Sequence, residues 1–96
     1  MYELYLITCA TNGKVYVGYT SKTAVIRFSQ HMDNARWNRK TALYDAVRKY
    51  GADQFSVSTV LVCENHADAC SHEIRLIAEF GSLVPAGYNL TLGGDG

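Results

Sequence analysis

The stretch YELYLITCATNGKVYVGYT, residues 2–20, decides how the chain begins. Residues 2–9 alternate imperfectly between apolar and polar and read as a strand, and Val15, Tyr16 and Val17, β-branched and aromatic, read as a second that stops at Gly18. Between them the pair Asn12-Gly13 tolerates φ > 0 at both centres of a type I′ turn, which predicts a β-hairpin. The hairpin carries Tyr5 on one strand and Tyr16 on the other, with Tyr19 just past Gly18. Taken alone, such tyrosines are packing residues with a polar handle.

Working outward, Val25, Phe28 and Met32 predict a helix over about 22–33, capped by Thr20 or Ser21, with Arg27 and His31 four apart on a polar edge beside the apolar stripe. A second helix over about 41–50 presents Leu43, Ala46, Val47 and Tyr50 and stops at Gly51. Residues 54–62 alternate through Phe55, Val57, Thr59 and Leu61 as a third strand. On a third helix, about 66–80, Asp68, His72, Arg75 and Glu79 form a solvated stripe and Ala67, Cys70, Ile74, Ile77 and Ala78 a core face. Glu73 falls between Ile77 on one side and Leu76 and Phe80 on the other, inside an apolar arc. A carboxylate there costs several kcal/mol unless it is paired or binds a metal, so Glu73 is either half of an ion pair, with Arg27 as a partner, or a functional carboxylate. Pro85 and Gly87 mark a loop before the closing AGYNLTLGGDG.

A chain of 96 residues with 48% apolar and 19% charged content is one globular domain, and no apolar run is long enough to span a membrane. Three cysteines without CxxC spacing, and no secretory signal, fit a reducing cytoplasm. The net charge of zero conceals segregation: residues 14–49 hold eight of the nine basic residues against Asp33 and Asp45, a segment of +6, and the remainder carries −6. Such a segment is either a phosphate-binding surface or a set of solvated helix faces.

Several of these residues recur together in a known family. LYLI at residues 4–7, VYVG at 15–18, the pair Arg27 and His31 in RFSQH, Glu73 in SHEIRLIAEF and Asn89 in GYN resemble, in that order, the motifs of the GIY-YIG nuclease superfamily. The chain is most similar to the N-terminal catalytic domain of phage homing endonucleases. The resemblance implies an α/β domain with a small three-stranded mixed or antiparallel sheet, the hairpin plus one strand, flanked by three helices. It implies a DNA endonuclease leaving 5′-phosphate and 3′-hydroxyl ends on double-stranded DNA, monomeric as an isolated domain, with residues 1–92 as the catalytic unit and 93–96 opening a linker to a separate DNA-binding region. By the same resemblance Glu73 is the lone protein ligand of one Mg²⁺ or Mn²⁺ ion. Arg27 holds the scissile phosphate, Tyr5 or Tyr16 orients or deprotonates water with a nearby cation lowering its pKa, His31 assists proton transfer or binds phosphate, and Asn89 fixes the site by side-chain hydrogen bonds.

Lys14, Lys22, Arg36, Trp37, Arg39 and Lys40 are the expected DNA contacts, RWNRK interleaving an aromatic with basic residues as backbone contact and stacking require; a solvated loop with Trp37 covering the core edge is the other reading. The chain departs from the family where Leu4 replaces a glycine, where Tyr19 replaces the lysine of some members, and where a second histidine of the intron-encoded members is absent from WNRKT. A structure-specific repair-type nuclease, or a non-catalytic nucleic-acid-binding module on the same fold, are the alternative functions. Cys63, His66, Cys70 and His72 invite a structural zinc, against buried cysteines acting as small hydrophobes. Tyr2, Tyr44 and Tyr88 are expected to pack on the sheet with hydroxyls reaching solvent.

Overall fold

A computed structural model describes residues 1–93; Gly94, Asp95 and Gly96, most of the expected linker, lie outside the described residues. Strands β1 (Tyr2–Cys9) and β2 (Val15–Thr20) form the hairpin, followed by helices α1 (Ala24–Arg36) and α2 (Ala42–Tyr50), strand β3 (Phe55–Cys63) and helix α3 (His66–Phe80). The sheet is antiparallel throughout, in the order β2-β1-β3. No helix of the described residues is long and apolar enough to cross a membrane.

The central strand explains the layers. Alternate side chains of a strand point to opposite faces. Tyr5, Ile7 and Cys9 therefore enter one core with Ala24, Ala35, Leu43 and Val47 of α1 and α2, and Leu4 enters the other with Val17 and with Ala69, Leu76 and Ile77 of α3. Leu4, standing in a glycine's place, is fully buried there.

Several local expectations shift by a few residues. The hairpin turn is not type I′: only Gly13 has positive φ (75°), Asn12 does not, and a four-residue loop closes with Gly13 N–H donating to the Cys9 carbonyl at 2.8 Å. Asn12 serves instead through its side chain, Oδ1 accepting from Lys14 N–H and Nδ2 donating to the Tyr88 hydroxyl. β2 does not stop at Gly18 but runs to Thr20, because Gly18 pairs with Tyr5 and a Cβ there would collide with the Tyr5 hydroxyl. The α1 cap is Thr23, whose hydroxyl accepts from Ile26 N–H, and a carboxylate oxygen of Glu3 on β1 accepts from Ala24 N–H at 2.8 Å. A side chain of the central strand thus fixes where α1 starts.

β3 departs from simple alternation. The pairing with β1 slips between Leu4 and Tyr5, leaving Val60 without an opposite residue. This bulge reverses the faces of the strand. Phe55 and Val57 pack on the α1–α2 side and Leu61 and Cys63 on the α3 side, although all four are odd-numbered.

The α3 face is also rotated from the expected one. Ala69, Glu73, Leu76 and Ile77 are buried, whereas Ala67, Ile74 and Ala78 are exposed. Glu73 stands within the buried stripe, inside the apolar arc where the sequence puts it.

Candidate active site

The free edge of β2 is closed by the chain's own C-terminal segment. Tyr88 N–H donates to the Val15 carbonyl, and the Asn89 amide then takes both outward groups of Val17: Val17 N–H donates to Oδ1 and Nδ2 donates to Val17 O, each at 2.8 Å. Ser82, fully buried, donates its hydroxyl to the same Oδ1 at 2.7 Å. Asn89 therefore acts as one more peptide on the strand edge and holds it in place. The side-chain hydrogen bonds of Asn89 thus go to the β2 edge and to Ser82.

Beside that edge lies a cleft lined by Tyr16, His31 and Tyr44 from the hairpin, α1 and α2, by Glu73 and Ile77 of α3, and by residues 88–91 and Gly93 of the C-terminal segment. Of the expected catalytic residues the cleft gathers Tyr16, His31, Glu73 and Asn89. Tyr5 lies beneath it, 1% exposed, its ring centroid 6.4 Å from that of Tyr16 and 6.0 Å from that of His31. Arg27 is half-buried one helical turn before His31 and donates to Gln30 Oε1 at 3.2 Å.

His31 was expected on a polar edge; it is 3% exposed and faces the core, because α1 buries Ala24, His31 and Ala35 and turns Val25 outward. Both ring nitrogens are engaged: Nε2 with the Tyr5 hydroxyl at 2.8 Å and Nδ1 with the Tyr44 hydroxyl at 2.7 Å, where Asn34 Nδ2 also donates at 3.2 Å. Tyr44 and Asn34 are the members of the site that sequence reasoning misses. Tyr44 was expected to pack with its hydroxyl reaching solvent; instead that hydroxyl is held by His31 and Asn34, a meeting that nothing local in the sequence announces.

Burial first, and then the Arg27 charge, pull the His31 pKa from 6.5 down to about 3, so the ring is neutral at pH 7. The unfolded chain protonates this histidine near 6.5 and the folded one does not until far lower. Its contribution to stability is complete above 6.5 and is lost as the pH falls toward 3. His31→Gln is accordingly expected to show a shallower fall in urea-derived stability than the wild type from pH 6.5 to 3, by up to a few kcal/mol. Identical slopes would show that the ring is not held neutral.

The tyrosine expected to be made acidic by a neighbouring cation is not Tyr5. Arg27 does lower it, but burial and the nearby Tyr16 outweigh that pull and push Tyr5 well above its ordinary 10, so it keeps its proton. Tyr16 is half-buried and opens on the cleft.

On the α3 side Tyr19 bonds His66 Nε2 at 2.9 Å and receives a weak hydrogen bond from the Cys70 thiol; partial burial and then that thiol push it up to about 12. The four-ligand zinc reading fails. Among the described residues no group of three or more His, Cys, Asp and Glu could hold a metal ion, and His72 instead faces Arg75.

The expected DNA contacts do not form one cluster. Lys14 and Lys22 flank opposite ends of β2, a six-residue strand ~20 Å long. Arg36 at the end of α1, and Trp37, Arg39 and Lys40 on the α1–α2 connection that leads into Thr41 on the cleft wall, are exposed. Trp37 is 77% exposed and covers no core edge, and Arg36 pairs loosely with Asp33 at 3.8 Å.

A family model described as the GIY-YIG catalytic domain matches residues 1–89. The chain is 27% identical over 95 residues to the putative endonuclease segC of Enterobacteria phage T4, a match covering 99% of this chain and 44% of that protein, so it spans less than half of that relative. Two solved structures share the fold. The catalytic domain of intron endonuclease I-TevI, in a mutant form, superposes with a TM-score of 0.83 at 24% identity over 95% of each chain. The catalytic domain of homing endonuclease I-TevI does so with a TM-score of 0.81 at 24% identity, over 95% of this chain and 99% of that one.

Proposed function

Because the chain belongs to the GIY-YIG catalytic domain family, we propose that it is a homing-type DNA endonuclease that hydrolyses phosphodiester bonds of duplex DNA to 5′-phosphate and 3′-hydroxyl ends with one Mg²⁺ or Mn²⁺ ion. The observation that carries this reading is the cleft at the β2 edge, where a buried carboxylate, a neutral imidazole and phenol hydroxyls border one space. Phosphodiester hydrolysis needs a positioned water, stabilised phosphate charge and help for the leaving oxygen.

A lone carboxylate is a hard oxygen donor, and with no caging group of three among the described residues it suits an ion that keeps most of its waters, as Mg²⁺ does, and not zinc. Glu73 would hold that ion, which when bound supplies Lewis acidity and stabilises the leaving 3′ oxygen. Arg27, planar and always charged, holds the scissile phosphate. Tyr16, the tyrosine that opens on the cleft, orients the attacking water, and Tyr5 stays protonated beneath it as a hydrogen-bond donor to His31. Lys14, Lys22, Arg36, Arg39 and Lys40 take backbone phosphates on either side and Trp37 stacks. A DNA-binding region beyond the glycine-rich residues 93–96 selects the target.

The test is nicking of supercoiled plasmid at high protein concentration, with Mg²⁺ and with chelator. The wild type is expected to nick only with the metal, and Arg27→Ala at least ~10²-fold more slowly; a wild type inert with both Mg²⁺ and Mn²⁺ would leave only the binding-module reading. Replacing Arg39 and Lys40 together by alanine is expected to lower the slope of log affinity against log salt by about 2, one phosphate contact each. An unchanged slope would remove the α1–α2 connection from the DNA path.

A further inference from the structure

Three hydrogens, from Tyr5, His31 and Tyr44, have to be distributed over two contacts, Tyr5 Oη to Nε2 at 2.8 Å and Tyr44 Oη to Nδ1 at 2.7 Å. A neutral imidazole carries one N–H and one lone pair. Two arrangements satisfy both contacts. In the first, Tyr44 donates to Nδ1 and Nε2–H donates to Tyr5, and the Tyr5 hydrogen is left over. In the second, Tyr5 donates to Nε2, Nδ1–H donates to Tyr44, and the Tyr44 hydrogen is left over.

Burial separates them. Tyr5 is 1% exposed, its hydroxyl is packed over Gly18, and it does not line the cleft. Turning its hydrogen away from His31 costs a buried donor its acceptor, about 1–3 kcal/mol. Tyr44 does line the cleft. Its oxygen then accepts from both His31 Nδ1–H and Asn34 Nδ2–H, which uses both acceptor positions and leaves its hydrogen free to turn toward the open space.

We propose that Tyr44 is a further catalytic residue: with its oxygen saturated by His31 and Asn34, it offers its hydroxyl hydrogen into the cleft as a donor to a non-bridging oxygen of the scissile phosphate. The donor is aimed before substrate arrives, the condition under which one hydrogen bond counts most toward the transition state. His31 thereby serves as the Nδ1–H tautomer that holds Tyr44 in place. The substrate in this proposal rests on the nuclease reading above; the hydrogen arrangement does not.

Two measurements test it. Long-range ¹H–¹⁵N correlation at pH 7, with the His31 signals assigned by their loss in His31→Gln, is expected to show Nδ1 protonated and Nε2 bare; the reverse tautomer would overturn the proposal. In single-turnover nicking with Mg²⁺, Tyr44→Phe is expected to be about 10²-fold slower with DNA affinity within twofold, and a wild-type rate would overturn it. Tyr44→Phe keeps the ring in its packed place, and the tautomer measurement on wild-type protein decides the matter should that variant fail to fold. A wild type that does not nick defeats the nuclease reading, while the reverse tautomer defeats the assignment of Tyr44 alone.

Discussion

Glu73→Gln is expected to slow Mg²⁺-supported single-turnover nicking by about 10³-fold, ~4 kcal/mol of transition-state stabilisation, with little change in thermal stability. The substitution keeps the size and shape of a side chain that is 6% exposed amid Ala69, Leu76 and Ile77 and removes only its charge. A charged group in such surroundings carries a desolvation penalty of several kcal/mol, so neutralising it is neutral or mildly favourable to folding unless the charge is a structural partner. The two explanations of Glu73 left open by the sequence therefore separate cleanly. An ion-holding carboxylate loses activity and keeps its melting temperature; a structural ion-pair member loses stability. Undiminished nicking by Glu73→Gln would end the metal assignment. Substituting Mn²⁺ and titrating the metal gives a second readout, since a surviving weak site would show as a raised metal requirement and not as a lowered maximum alone.

At pH 7 Asn89→Asp is expected to cost about 3 kcal/mol, or about 15 °C in Tm for a domain of this size. One oxygen still accepts from Val17 N–H and Ser82, but the Nδ2 donor to Val17 O is lost and a carboxylate oxygen takes its place against that carbonyl. The new carboxyl is buried, which raises its pKa above the unfolded value. The folded state then binds the extra proton first, so lowering the pH stabilises the variant relative to the wild type, and the protonated acid regains a donor for Val17 O. Urea melts of both proteins at pH 7 and pH 4.5 should show the gap narrowing in acid. A gap that stays constant or widens would mean that the amide is not the clasp on β2. Because Tyr16 is the neighbour of Val17 on that strand, nicking by the variant at pH 7 is expected to fall as well, below the temperature at which it unfolds.

The motifs were legible because they are local: the hairpin tyrosines, the i, i+4 pair Arg27 and His31, and a glutamate out of place on an amphipathic helix. What periodicity missed depends on tertiary partners. His31 reads as a polar edge residue, and only the packing of α1 on α2 makes it a core residue held by Tyr5 and Tyr44. The α3 stripe was drawn about Ile74, which hydropathy favours, yet the buried line runs through Glu73 because the cleft gives that carboxylate somewhere to go. Alternation in β3 was real but could not reveal that one inserted residue exchanges the faces. Turn chemistry was right in residue type and wrong in geometry at Asn12-Gly13, where the amide side chain tied back to Lys14 replaces the left-handed backbone. A tyrosine base activated by Arg27 is a reasonable expectation from charge alone, and at Tyr5 burial is the larger effect.

The bulge at Val60 has a further consequence, for self-association. β3 is the sheet's second edge, and nothing comparable to the Asn89 clasp covers its outward peptide groups among the described residues; Val60 and Val62 are exposed along it. A flat, apolar edge nine residues long would invite another copy to add a strand. The slipped residue breaks that edge into two shorter runs that present different faces, so an incoming strand in register with one half is out of register with the other. The irregularity that lets one strand serve two cores also works against edge-to-edge strand addition.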